Sequence, residues 1–341
     1  MKSNLLFLGL ATIMSGACAT TAPDEAAETA DLAFAPGGAM TNASGIDVVP
    51  ADYDGDGRTD LALKFSDGKW KIDYAANGYG TWDATYSNTA WVGASAHAVP
   101  ADYDGDGKAD LAVKKDNGDW LVDESHDGFG IPSALPTFHG FGDVNSVAAP
   151  ADYDHDGHAD LAVKTGSGFF VIRLWPNRFT SAFDVTIGGF GTSSAHPVPA
   201  DYDGDGFADL ASKDDSTGQW KIDFASGGFT GVNATFSGFG GAQAQAVPFD
   251  YDGDGKADLA QKDDNNGDWY IDFANNGFGG FNPSFGGWTG ADLVAIPGRY
   301  NAPGTGPGAD LAIYKRSNGS WQIDYRNGGY TGVNAIIPAQ P

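Results

Sequence analysis

The chain has 341 residues, of which 41% are hydrophobic and 13% aromatic, with 50 glycines, one cysteine and a formal net charge of −26. Lys and Arg number 19 against 45 Asp and Glu, with no basic patch or tail, which excludes nucleic acid as the expected partner. A lone cysteine excludes a disulfide within the chain.

At the N-terminus, Lys2 and the apolar run from Leu5 to Met14 are too short to span a bilayer and read as a targeting segment. Ser15-Gly16-Ala17 then leads to Cys18, which resembles a bacterial lipoprotein signal whose cysteine becomes the lipidated first residue. Ordinary cleavage after Ala19 also fits Ala17-Cys18-Ala19, so a freely secreted product and a lipid-anchored one both stand. Residues 1–18 are therefore assigned to the signal, 19–30 to a flexible stalk and 31–341 to the folded unit. The expected location is secreted or on the bacterial surface, with an N-terminal lipid as the only link to a membrane.

The string Asp52-Tyr53-Asp54-Gly55-Asp56-Gly57-Arg58-Thr59-Asp60 returns at Asp102, Asp152, Asp201 and Asp250, a step of 49 to 50 residues. A fixed period of this length marks an array of one supersecondary unit. Loop positions 1, 3, 5 and 9 are Asp52, Asp54, Asp56 and Asp60, then Asp102, Asp104, Asp106 and Asp110, then Asp152, Asp154, Asp156 and Asp160. The last two copies supply Asp201, Asp203, Asp205 and Asp209, and Asp250, Asp252, Asp254 and Asp258. Four carboxylates with Gly at position 6 suit a hard cation that wants many oxygens at about 2.3–2.6 Å, so these residues are the expected ligands of about five Ca²⁺. Five such ions would bring the net charge from −26 to −16 and serve where disulfides are absent.

Within a unit, short strands alternate with turn residues. In the fourth, Asp209-Leu210-Ala211 follows the loop, a polar turn spans Asp214 to Gly218, Trp220-Lys221-Ile222-Asp223-Phe224 alternates strictly, and Asn233-Ala234-Thr235-Phe236 closes the unit. The alternating strand recurs from Trp70, Trp120, Phe170, Trp269 and Trp321, which counts six units. Four strands per unit predict an all-β fold, a β-propeller of six four-stranded blades, with seven as the alternative. Unit six reads Arg299-Tyr300-Asn301 where the others carry acids, which argues against metal there. Residues 31–39 and the segment from Asn334 to Pro338 both align with a unit's fourth strand, so either can complete the ring. An aromatic after a Gly turn recurs at Tyr79, Phe129, Phe179, Phe229, Phe278 and Tyr330. These are candidate ligand-binding platforms for sugar rings, and equally candidate packing residues at the rim.

Gly238-Phe239-Gly240-Gly241 followed by Asp250 to Leu259 resembles the FG-GAP/VCBS repeat of integrin α-subunit propellers and bacterial surface proteins, over essentially all of residues 31–338. The resemblance implies Ca²⁺ held between adjacent strands of a blade, with backbone carbonyls of Arg58, Lys108, His158, Phe207 and Lys256 at position 7 added to the carboxylates. No metalloprotease, nucleophile-elbow or phosphate-loop motif is present, so no enzyme is expected. His155 and His158 flank the third loop and are expected to point outward, His158 lending only its carbonyl. The expected function is a monomeric, extracellular binding or adhesion module for glycans or a cell-surface protein. A polysaccharide-acting enzyme on this scaffold and a purely structural scaffold are the alternatives.

Overall fold

The computed structural model describes residues 45–130, 137–174, 185–290, 292–301 and 306–340. The signal, Cys18, the stalk, the segment 31–39 and Phe179 lie outside the described residues. Six antiparallel sheets of four strands follow one another, each built from strands consecutive in the chain. The first blade contains β1 (Ile46–Val48), β2 (Leu61–Phe65), β3 (Lys69–Asp73) and β4 (Ala84–Ser87). The fold is a six-bladed β-propeller, and the seven-blade alternative is overturned because every described strand is used in six complete blades. The C-terminal strand Ala335–Ile337 closes the sixth blade against Ser320–Asp324. Among the described residues no helix is long and apolar enough to cross a membrane.

Strict alternation makes each blade two-faced, and the hydrophobic clusters lie between blades. Ala62, Trp70 and Ile72 of the first blade pack with Ala109, Leu111 and Val113 of the second, while Leu61 and Leu63 pack backward against Ile296, Tyr300 and Ile323 of the sixth. The recurrent third-strand aromatics are buried as expected. Each meets a second aromatic: Trp70 meets Trp91 at 6.2 Å, Phe170 meets Phe190 at 4.8 Å and Trp220 meets Phe239 at 6.0 Å. Where the glycine-aromatic-glycine segment supplies a phenylalanine, at Phe141, Phe190 and Phe239, it is thus a lid on the blade's own third-strand aromatic. Gly218 must be glycine for this closure, because its φ is +67° and a Cβ would fall 1.9 Å from the Gly240 carbonyl oxygen.

Three further devices tie the ring. In each blade the position-8 residue donates its backbone N–H to the position-1 carbonyl of the preceding blade: Ala109 to Asp52 (2.8 Å), Ala159 to Asp102 (2.6 Å), Ala208 to Asp152 (3.0 Å), Ala257 to Asp201 (2.7 Å) and Ala309 to Asp250 (2.9 Å). Thr59 to Arg299 (2.9 Å) completes the cycle between the first blade and the sixth. At the other end of the second strand, Lys64, Lys114, Lys164, Lys213 and Lys262 are buried, four residues and roughly 13 Å from the loop aspartates. Lys114 donates to the Asp143 carbonyl (3.0 Å), Lys164 to Thr192 (2.9 Å) and Lys213 to Ala244 (2.8 Å), each in the approach to the next blade's inner strand. Burial lowers Lys64 and Lys114, and takes Lys164 down to about 8. Finally, Gln340 beyond the last strand donates to Asp73 of the first blade.

Candidate metal centres at the blade loops

Each repeated loop joins the inner strand of a blade to the second one, and its two ends are held by a tyrosine and an aspartate. The position-2 tyrosine is buried, and its hydroxyl donates to the carbonyl four residues earlier: Tyr53 to Val49 (2.8 Å), Tyr202 to Val198 (2.7 Å) and likewise in all six blades. The backbone N–H of the same tyrosine donates to the position-9 carboxylate, as Tyr53 does to Asp60 (2.8 Å). The other oxygen of Asp60 accepts from Ala75 N–H (2.8 Å) in the short turn after β3. Position 9 is therefore a buried carboxylate clamped between two parts of the blade.

Position 1 is oriented by the loop's own backbone. Asp52 accepts from Gly55 (2.7 Å), Asp56 (3.2 Å) and Gly57 (2.7 Å), and Gly57 makes this turn at φ +77°. Position 3 is aimed by a side chain from the turn after the third strand: Ser226 donates to Asp203 (2.6 Å), and Asn275 to Asp252. Positions 1, 3 and 9 then converge. One oxygen from each of Asp52, Asp54 and Asp60 lies within 4.8 Å of the others, and the same holds for Asp102, Asp104 and Asp110, for Asp152, Asp154 and Asp160, and for Asp201, Asp203 and Asp209. In the fifth loop Asp250 and Asp258 accept the equivalent backbone bonds. Position 5 stands outside these groups, and its carboxylate accepts the N–H of position 7, as Asp56 does from Arg58 (2.9 Å), with the same bond at Asp106, Asp156, Asp205 and Asp254.

Electrostatics shows why these groups suit a cation. Burial, followed by repulsion from neighbouring carboxylates, pushes Asp60 up to about 8, Asp110 to about 9, and Asp209 and Asp258 to about 8. Asp52, Asp102, Asp154 and Asp201 rise to about 6. Carboxylates this crowded hold protons near neutral pH unless a positive charge replaces them. An all-oxygen donor set fits a hard divalent ion, so these Asp clusters can hold metal.

The sixth loop supplies its own donors instead. Asp310 accepts from Tyr300 N–H (2.9 Å) and Arg326 N–H (2.7 Å), and the Asn301 side-chain amide donates to it as well. The Arg326 guanidinium crosses the seam to the backbone carbonyl of Asp252 in the fifth loop. Burial raises Asp310 only to about 6, because these hydrogen bonds and the Arg326 charge hold it down.

The recurrent glycine-turn aromatics occupy the seams. Tyr79 donates its hydroxyl to the Thr59 carbonyl (2.6 Å) and meets Tyr300 of the sixth blade at 6.1 Å. Phe129 meets Tyr86 at 5.2 Å, Phe229 meets Tyr153 at 6.1 Å, and Phe278 meets Phe236 at 4.9 Å and Tyr202 at 6.5 Å, all edge to face with the preceding blade. Tyr330 meets Phe285 at 4.7 Å, and its hydroxyl donates to the Ala309 carbonyl. All five are half-buried, which is the geometry of packing residues. His155 is exposed as expected and lies 5.2 Å from the Phe207 ring. His158 departs from expectation: its ring lies over Gly105 of the preceding loop, so close that a Cβ there would fall 2.7 Å from it. Gly55 is covered by Lys108 and Gly204 by Lys256 in the same way, which explains glycine at position 4. The sequence reading missed the buried lysines, the tyrosine clamp and this overlap. Their recurrence at fixed loop and strand positions was the available signal.

The FG-GAP-like repeat family matches the chain at residues 52–113 and 102–163, which are the first three loops with their following strands. Residues 52–163 thus carry FG-GAP-like repeats, and the chain as a whole is a six-bladed β-propeller. No curated protein matches this FG-GAP propeller significantly in sequence. Among solved structures it is similar to an Agrocybe aegerita lectin described by its specific recognition of non-reducing terminal N-acetylglucosamine, at 21% identity and a TM-score of 0.57, over 86% of this chain and 80% of that one. It also matches BBS1N in complex with ARL6DN at 11% identity and a TM-score of 0.48, over 91% of this chain and 83% of that one. The Tc holotoxin pore of Photorhabdus luminescens matches at 17% identity and 0.48, over 84% of this chain and 14% of that one. The lectin likeness is one of fold.

Proposed function

We propose that this FG-GAP propeller is an exported binding module for glycans, held rigid by about five Ca²⁺ in the loops of blades one to five. The observation that carries the metal half is the repeated convergence of three aspartates on backbone clamps, with carboxyls pushed far above their ordinary range. The glycan half draws support from the lectin, a propeller of comparable extent described by its recognition of a terminal sugar. Calcium here is structural: by neutralising each loop it fixes the approach between the first and second strands, and so the seams between blades. Equivalent positions around the ring would then engage repeated sugars, so that weak single contacts add by multivalency. Catalysis is no part of this proposal.

The test is a glycan array probed with the calcium-loaded chain beginning after the signal, alongside the chelated protein. Binding of a defined subset of glycans that is lost on chelation is the expected result. Silence across the array, with native mass spectrometry confirming bound calcium, would remove the glycan half and leave the metal half standing. Export is read separately, by fractionation and by lipid labelling of Cys18 in a bacterial host.

A further inference from the structure

Blade two holds a group of ligands that differs from every loop site. Asp104, Glu124 and His126 each bring one ligand atom within 4.8 Å of the others. Nδ1 of His126 lies 2.7 Å from Asp104 Oδ2 and 3.7 Å from Glu124 Oε2. The imidazole is 56% exposed, so an ion reaches it directly from solvent.

The other blades show what this position needs for folding alone. Where blade two has Glu124, they carry Tyr74, Leu174, Phe224, Phe273 and Tyr325, and where it has His126, they carry Ala76, Pro176, Ser226, Asn275 and Asn327. Ser226 and Asn275 show that a neutral donor suffices to aim the position-3 carboxylate. His126 also contacts that carboxylate but brings an aromatic nitrogen, and Glu124 exchanges a ring or a leucine for a second carboxylate. Both departures add metal ligands and fall in the same blade.

We propose that Asp104, Glu124 and His126 form a second metal site, for a borderline transition-metal ion such as Zn²⁺, with Asp104 bridging it to the calcium loop. One nitrogen with two carboxylate oxygens suits such ions, whereas calcium prefers oxygen alone. Ligand atoms about 2.0–2.2 Å from a tetrahedral ion stand about 3.4 Å apart, and the observed 2.7 and 3.7 Å bracket that spacing. Three protein ligands leave the fourth position to water or to a donor from a bound molecule. The site rests on the calcium reading only through the shared Asp104.

Zn²⁺ is titrated by calorimetry into calcium-saturated wild type, into Glu124→Phe/His126→Ser, which installs the residues of blade four, and into His126→Asn, which keeps a donor to Asp104. His139→Ala serves as control, because His139 is exposed, paired with Asp119 (2.6 Å) and outside the Asp104, Glu124 and His126 group. Wild type and His139→Ala are expected to bind one Zn²⁺ without releasing calcium, and both Glu124/His126 variants to bind it roughly tenfold more weakly or worse. Melting in calcium shows whether a variant remains folded, and His126→Asn carries the test if the double variant does not. Equal affinity in wild type and folded variants, or Zn²⁺ uptake that expels calcium one for one, would overturn the second site.

Discussion

The loops of blades five and six meet the same structural demand with different charges. Both end in a buried aspartate that accepts one N–H from the position-2 tyrosine and one from the turn after the third strand: Tyr251 and Ala274 for Asp258, Tyr300 and Arg326 for Asp310. In blade five the remaining neighbours are Asp250 and Asp252, and burial together with their charge lifts Asp258 to about 8. In blade six Asn301 and Arg326 stand there, and Asp310 reaches only about 6. The fold needs the clamped carboxylate in both places. What compensates it is free to vary: a protein amide and guanidinium in one blade and, on the calcium reading proposed above, a cation from solution in the other.

Removing the external cation should separate the two kinds of loop most widely. A ligand that binds only the native state adds about 2.7 kcal/mol per site at a hundredfold excess over Kd. Chelation is therefore expected to lower Tm by many degrees, with magnesium restoring little because its octahedral demand fits these loops poorly. Hydrogen exchange in the chelated protein should rise in the loops of blades one to five while amides around Asp310 keep their protection. Identical melting curves with and without chelator, or uniform exchange in all six loops, would erase the distinction.

A narrower probe changes the clamped residue itself. Asp258→Asn and Asp310→Asn each spoil one accepted backbone bond, a loss of about 1–3 kcal/mol. Only Asp258→Asn should also lose the ion, so its cost is expected to be larger in calcium and to shrink towards that of Asp310→Asn in chelator. Costs that are equal under both conditions would mean that Asp258 holds no metal.

Acid should act on the two loops unequally as well. In the metal-free protein, Asp60, Asp209 and Asp258 near 8 and Asp110 near 9 bind protons more tightly than the unfolded chain does, whose aspartates titrate near 3.8. Their contribution is fully present below about 3.8 and disappears as pH rises through 8 to 9. Metal-free Tm should accordingly fall between pH 5.5 and pH 9, while the calcium-loaded protein stays nearly level over that interval. A metal-free protein more stable at pH 9 than at pH 5.5 would contradict the crowding of these carboxylates.

The parts of this molecule that were legible in the sequence are those that repeat with their partners close at hand. The aspartate loop is nine residues long, and the strand from Trp220 to Phe224 alternates within itself, so blade number, register and candidate ligands could be read directly. The buried lysines and the loop overlap escaped because their partners lie one blade away, whereas the tyrosine clamp is local and was signalled only by its recurrence. Lys114 looks like an ordinary strand lysine until the Asp143 carbonyl, 29 residues on, is seen beside it. Arg326 reaches back 74 residues to Asp252, and His158 covers a loop about 50 residues earlier. Position 5 remains a candidate ligand by spacing, and its Asp56 carboxylate also accepts from the Arg58 backbone and guanidinium.

The smallest expected effect concerns the seam aromatics, where blade six can again be set against a blade with an aspartate loop, here blade four. Phe229 sits at φ +35° and Tyr330 at +52°, a region that costs a non-glycine residue about 1–3 kcal/mol. Packing must offset that strain: Phe229 through its edge-to-face contact with Tyr153, Tyr330 through Phe285 and its bond to Ala309. Phe229→Gly removes ring and strain together, whereas Phe229→Ala removes the ring and keeps the strain. Alanine should therefore destabilise by about 1–2 kcal/mol, less than the 3–5 of a fully buried phenylalanine, and glycine by less than alanine. Tyr330→Phe keeps the ring and should cost only its hydrogen bond, about 1 kcal/mol. These substitutions should leave glycan binding per folded molecule unchanged, since the rings are spent on the seam. Should Phe229→Ala weaken glycan binding at unaltered Tm, the ring would be a sugar platform after all, and the packing assignment would fall for the blades with aspartate loops before it fell for blade six.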